Sequence, residues 1–175
     1  MESKLTLAET LSLAGTLILF SGLVVAIFQL SLLGKQVRLM FEHMNKQFDW
    51  TKKQSTFEYM SMYQKELMPI NVELQKRFNL LVQDGRDITE SEIEHALNND
   101  NIRSQLFSLI FYFEHLAIGI EQEYFYERIA REFLSNVVIS TFNSIYPYIQ
   151  VRRKETNREI AKHFEHLARK WEKNR

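Results

Sequence analysis

From Leu11 to Leu33 the chain is apolar and carries no charged side chain. At about 1.5 Å per residue a helix over this run is roughly 34 Å long, enough to cross a bilayer hydrocarbon core of about 30 Å. A water-soluble helix of that length shows a polar face. Here only Ser12, Thr16, Ser21, Gln29 and Ser31 break the run, and helix carbonyls or neighbouring helices satisfy such groups. The pattern predicts one membrane-spanning helix. A cleaved secretory signal would instead need a basic start, an apolar core of about 7–15 residues and a small-x-small cleavage site. The start is Met1-Glu2-Ser3-Lys4 with Glu9 following, the core is longer, and Leu33-Gly34-Lys35 is not such a site. The run is therefore read as an uncleaved anchor. Lys4 precedes it, whereas Lys35, Arg38, Lys46, Lys52 and Lys53 follow it. Basic flanks stay in the cytoplasm, so the short N-terminus is expected outside and the rest of the chain inside.

After the anchor the apolar positions keep a helical period. No proline occurs before Pro69 and only Gly34 weakens the stretch, so one helix is expected from about Thr6 to about Leu67. Val37, Phe41, Met44 and Phe48, then Thr51 and Ser55, approximate a 3-4 repeat. Such a repeat suits a short coiled coil or a helix packed on the domain that follows. Pro69 opens a second helix carrying Val72, Leu74, Phe78 and Leu81, with Asp84-Gly85 as its turn signal. Thr89 and Glu92 have the spacing of a capping box, and a short helix from there ends at Asn98-Asn99-Asp100. The clearest core stripe follows: Ile102, Leu106, Leu109, Phe113, Leu116 and Ile120. An aromatic helix is expected over about 122–145, ending near Tyr146-Pro147, and a basic one with Ile160, Phe164, Leu167 and Trp171 on one face. No strand pattern survives. The fold class is all-α, in three segments: tail and span (1–33), juxtamembrane helix (34–68) and a helical domain (69–175).

Composition sharpens this picture in two places. The 175 residues contain no cysteine, which removes disulfides and thiolate zinc sites and suits a reducing cytosol. The net charge is zero but unevenly spread: residues 69–146 hold 6 basic and 12 acidic side chains, residues 147–175 hold 9 and 4. An acidic middle and a basic tail can attract each other, within or between chains; they can equally be solvated helix faces. A basic tail can also meet nucleic acid or anionic lipid.

Within the span, Ala8, Gly15, Gly22, Gln29 and Gln36 recur every seven residues, with Ser12 and Ala26 beside them. Small residues let membrane helices approach closely and glutamine can hydrogen-bond across the seam. A single span has no partner within its own chain, so the seam of Ser12, Gly15, Gly22, Ala26, Gln29 and Gln36 predicts a homo-oligomer in the lipid bilayer.

Phe-Glu-His-Leu-Ala occurs at Phe113–Ala117 and again at Phe164–Ala168, echoed by Phe41-Glu42-His43-Met44. It reads as a faint helical-hairpin repeat or, more simply, as coincidence among amphipathic helices. His163 and His166 flank Glu165 but lack the HExxH spacing of a helical zinc pair, so neither a metal nor another cofactor is expected. Walker, GxGxxG, GxSxG, Cys-x-x-Cys and EF-hand patterns are missing, which argues against nucleotide-dependent and acyl-transfer enzymes. The remaining candidate chemistry is Arg158 with His163, an Arg-x4-His spacing. A guanidinium can hold a scissile phosphate and an imidazole can move the proton of a ribose 2′-hydroxyl. Two copies across a dimer would form a metal-free ribonuclease site. Thr156 and Glu159 have capping-box spacing, which would set Arg158 in a helix's first turn, where N–H groups favour phosphate. Arg38 and His43 share the Arg-x4-His spacing beside the membrane.

Together, the span, the helical domain and this Arg158/His163 pair resemble the membrane-anchored accessory protein of type VI-B CRISPR systems, a divergent HEPN-like, single-pass family. The stretch from Phe113 to Ile120, Pro147-Tyr148-Ile149, and Phe164 to Trp171 also looks like a broader bacterial family of single-pass helical proteins of unknown function. The resemblance implies a cytoplasmic HEPN-like domain and an oligomeric ring in the bacterial inner membrane. That ring would act as a pore in antiphage defence, with an RNA-guided, RNA-cleaving effector as partner and RNA contact not required. Active HEPN ribonucleases commonly place Asn, His or Lys after the arginine. Glu159 stands there, and its carboxylate repels a phosphate. The expectation is therefore a non-enzymatic membrane oligomer, with a membrane-tethered ribonuclease or a non-catalytic scaffold as alternatives.

Overall fold

The computed structural model describes residues 7–78 and 87–175, with side chains from Leu11 onward. All regular structure among these residues is helical: α1 (Leu7–Met62), α2 (Met68–Arg77), α3 (Glu90–Asn98), α4 (Asp100–Glu121), α5 (Glu127–Thr156) and α6 (Lys162–Lys173). The chain forms two compact units, Met1–Asp49 and Trp50–Arg175.

In the first unit, α1 passes through Gly34 unbroken. It is long and apolar enough to cross a membrane, and no part of its apolar window is buried. Leu17, Phe20, Val24, Phe28 and Leu30 are all exposed. Two of the four hydroxyls in the run are satisfied within the helix: Thr16 donates to the Ser12 carbonyl at 2.9 Å and Ser21 to the Ile18 carbonyl at 2.8 Å. That is the arrangement a lipid environment demands. Val37, Phe41, Met44 and Phe48 are exposed as well.

The last turns of α1 belong to the second unit, where Thr56, Met60 and Tyr63 are buried at one-turn spacings. Pro69 cannot supply an N–H to the carbonyl four residues earlier, and its ring crowds that carbonyl. The chain widens ahead of it into a π-helical turn, Tyr63–Leu67, in which Met68 N–H bonds the Tyr63 carbonyl. Pro69 then falls in the first turn of α2, where the missing N–H costs nothing. The Asp84-Gly85 turn and Leu81 lie outside the described residues.

The expected capping box is formed: Thr89 Oγ1 accepts Glu92 N–H, and the Glu92 carboxylate accepts Thr89 N–H at 2.8 Å. Asn99 does more than end α3. Its side chain accepts N–H bonds from Asn101 and Ile102, both at 3.1 Å, and so starts α4.

The α4 helix is the central element, packed against α2, α3 and α6. All six residues of its predicted stripe are buried. Tyr112, also buried, joins it to α1 through a reciprocal pair of bonds. Tyr59 Oη donates to the Tyr112 carbonyl at 2.9 Å and Tyr112 Oη to the Tyr59 carbonyl at 2.8 Å. The two rings stack with centroids 4.5 Å apart, and burial pushes both phenols above their ordinary range.

Two expectations need correction. The helix expected over 122–145 begins later, at Glu127, and runs through Pro147 to Thr156. Proline inside a helix costs about 3 kcal/mol. Ile145, Tyr148 and Ile149 are buried around it, and each such side chain contributes about 1.5–3 kcal/mol. The Ser144 carbonyl, on the turn that Pro147 disturbs, also gains Ile88 N–H at 3.0 Å. The capping box at Thr156 and Glu159 does not form. Thr156 is still in α5 and donates Oγ1 to the Arg152 carbonyl, while Asn157 and Ala161 take left-handed conformations that bound a turn. Arg158 lies in that turn and not in a helix's first turn.

After α4 the chain reverses over Gly119. Phe125 N–H bonds the Gly119 carbonyl at 3.0 Å, and a Cβ on Gly119 would overlap the Phe125 ring. Gly119→Ala is accordingly expected to cost about 1–3 kcal/mol, read as a lower midpoint in thermal unfolding of the full chain.

Candidate functional site

The α5–α6 turn and the start of α6 carry the candidate residues, and three contacts fix them there. The first holds the turn. Arg153 in α5 donates Nε to the Ile160 carbonyl and Nη1 to Glu165, both at 2.7 Å. The second is an aromatic stack: Phe164 lies on Phe113 with centroids 5.0 Å apart and takes Phe142 edge-on at 5.2 Å. The third is a cap supplied from another helix. Ala161, the residue before α6, has no side-chain acceptor. Glu114 of α4 takes its place, accepting Phe164 N–H at 2.7 Å and His163 N–H at 3.2 Å. These are the two donors that an N-cap side chain ordinarily satisfies, and the negative charge meets the positive end of the helix dipole.

The two Phe-Glu-His-Leu-Ala stretches thus pack on each other. Phe113, Leu116 and Ala117 of one, and Phe164, Leu167 and Ala168 of the other, are buried, while His115 and His166 are exposed. The glutamates differ in role, since Glu114 caps α6 and Glu165 holds Arg153.

Arg158 and His163 share a neighbourhood but not a cleft. The Arg158 guanidinium is exposed and makes no hydrogen bond or ion pair among the described residues. It lines an open cleft of about 390 Å³ with Arg153, Asn157, Glu159, Lys162 and Glu165. Glu159 pairs with Lys162 at 2.7 Å; that hydrogen bond holds the Glu159 carboxyl below its usual range and raises the Lys162 ammonium. The His163 ring is bonded to Glu121 instead, Nδ1 to Oε2 at 2.6 Å, and does not line that cleft. The α6 N-terminus, the natural phosphate cradle nearby, holds the Glu114 carboxylate. At the membrane-proximal match, Arg38 pairs with Glu42 at 3.4 Å on an exposed helix face. Among the described residues no three His, Asp or Glu side chains converge in a way that could hold a metal ion.

The seam residues Ser12, Gly15, Gly22, Ala26, Gln29 and Gln36 are all exposed along α1; the Ala8 side chain lies outside the described residues. A Cβ placed on Gly15 or Gly22 would meet nothing within 4 Å. Sequence reading missed Glu114 and Arg153. The only available signal for Glu114 was its place inside the repeated pentapeptide, opposite a helix start that lacks an acceptor of its own.

Glu114→Ala leaves two helix N–H groups without their acceptor and is expected to lower stability by about 1–3 kcal/mol, with Glu114→Gln losing less. Chemical denaturation of the two variants checks the order.

No curated protein and no solved structure matches the chain. One family does, described as a domain of unknown function, DUF4760, over residues 16–171. That match takes in most of the span and all six helices in whole or part, so the chain belongs to the DUF4760 family.

Proposed function

We infer that the protein is a homo-oligomer of the bacterial cytoplasmic membrane. Its spans pack along the small-residue seam into a ring, and the ring opens a pore. The observation that carries this reading is the fully exposed span with its glycines free of any contact in the single chain. Lipid covers the large side chains, whereas Gln29, inside the span, needs a hydrogen-bonding partner that the bilayer does not supply. Beyond the span Val37, Phe41, Met44 and Phe48 form a separate exposed apolar stripe, which a short coiled coil would cover. The basic residues after the span put the N-terminus outside and the helical domain in the cytoplasm. In the setting implied by the resemblance to the type VI-B CRISPR accessory family, the pore permeabilises or depolarises the membrane during antiphage defence, alongside an RNA-guided, RNA-cleaving effector.

A membrane-tethered ribonuclease of HEPN type is the second reading, favoured by the unpaired Arg158 guanidinium. Three contacts weigh against it: His163 on Glu121, Glu114 on the α6 N-terminus, and Glu159 beside the arginine.

Gly15→Leu with Gly22→Leu tests the assembly, because neither side chain collides with anything inside one chain. Light scattering and imaging in detergent are expected to show closed rings for the parent chain and smaller species for the variant. Dye leakage from liposomes should fall with them; an unchanged particle size refutes the seam. Arg158→Ala with His163→Ala is expected to keep both assembly and leakage. Loss of function together with loss of RNA cleavage in that variant would transfer the activity to the ribonuclease.

A further inference from the structure

A second cleft, of about 240 Å³, opens on the other side of Arg158, between α4, α5 and the α5–α6 turn. Its walls are apolar: Phe107 and Ile110 of α4, Ile149 of α5 and Ile160 of the turn. Four polar side chains join them, Tyr148, Arg152, Arg158 and Thr156, whose hydroxyl is taken by the Arg152 carbonyl. Tyr148 is 3% exposed, and its hydroxyl has no hydrogen-bond partner among the described residues. The ring is buried, but Oη is not one of the buried polar atoms that lack a partner, so it reaches the open side of the cleft. Burial pushes the Tyr148 phenol above its usual value, so at neutral pH it is a donor. Arg152 has one carboxylate, Glu155 at 2.6 Å, and the nearby Arg103 has Asp100 at 2.6 Å. Arg158 has none. The cleft therefore combines an apolar floor, an accessible phenol hydroxyl that no described residue engages and one unpaired positive charge.

We propose that this cleft binds a small organic anion, a carboxylate or phosphate monoester on an apolar body. The body lies against Phe107, Ile110, Ile149 and Ile160, and the anionic head accepts from Tyr148 Oη and the Arg158 guanidinium. The cavity is just below the size of sites that take drug-sized ligands, which limits the body to about one substituted aromatic ring or a short alkyl chain. Arg158 sits at the mouth of the cleft, and its planar fork matches a carboxylate or phosphate head.

The test uses the full chain in lipid nanodiscs, with empty nanodiscs as blank and ligand-observed ¹⁹F NMR as readout. The probe is 4-(trifluoromethyl)benzoate, its neutral match 4-(trifluoromethyl)benzyl alcohol. The acid is expected to bind saturably at one site per chain and the alcohol at least about tenfold more weakly, as for a charge-assisted contact. Arg158→Gln should weaken the acid about tenfold and Tyr148→Phe about threefold to tenfold. Thermal unfolding of both variants should match the parent, because neither group has a partner to lose. Equal binding of acid and alcohol, unchanged affinity in either variant, or no saturable binding of the acid overturns the proposal. So does competition by inorganic phosphate at the acid's own concentration, since a head without a body would then suffice.

Discussion

The bond between the Glu114 carboxylate and the first N–H groups of α6 is the contact on which the candidate site depends. The α6 helix begins at an alanine in a left-handed conformation, with no acceptor of its own, and a twelve-residue helix has marginal stability alone in water. Glu114 supplies the acceptor from α4 and Phe113 a ring, neighbouring residues that both hold Phe164. Together they set where the basic tail begins, and hence where the α5–α6 turn stands. Arg153 closes the turn from the other side. Everything chemically interesting about Arg158 and His163 follows from this clamp. It turns His163 toward Glu121 and leaves Arg158 outside, between two clefts.

The two ends of the chain solve opposite problems. In the span the backbone is satisfied within the helix, the side chains are large and apolar, and nothing in the single chain covers them. Among the described residues no tertiary packing stabilises that stretch of α1. In the domain, α4 is surrounded by packed elements, and buried polar groups find distant partners: Tyr59 with Tyr112, Asn71 with Tyr63 at 3.0 Å, Thr56 with Tyr126 N–H at 2.8 Å; Gln105 Oε1 and Thr141 Oγ1 do not. The acidic middle and the basic tail meet through Lys170 and Glu127, but most tail charges pair within the tail, as Arg152–Glu155, Arg153–Glu165, Lys162–Glu159 and Arg169–Glu172 do. Glu127 also receives the Trp171 indole N–H at 3.0 Å. Burial alone would raise its carboxyl, and the hydrogen bonds from Lys170 and Trp171 outweigh that and hold it below the usual range. This tie contributes stability above the ordinary carboxylate range, and it is lost as pH falls through the lowered value.

The amino-acid sequence by itself determined what depends on neighbours along the chain. The long apolar helix is legible as one able to cross a membrane because a bilayer's thickness sets a length and lipid sets a composition. The α4 stripe and the Thr89–Glu92 capping box are legible because their partners are three or four residues apart. What only the tertiary structure decided is where local rules were outvoted by distant groups. Pro147 does not end α5, because its buried neighbours and the Ile88 N–H outweigh the lost bond. Thr156 and Glu159 do not cap a helix, because α5 runs on through Thr156 and Arg153 fixes the turn that follows. The role of Glu114 could not be read from spacing, since its partners lie 49 and 50 residues away. Arg158 and His163 keep their five-residue spacing in any conformation, but whether they face one cleft depends on the backbone between them. Asn157 and Ala161 reverse that backbone, so a spacing that suggested one site became two separate environments.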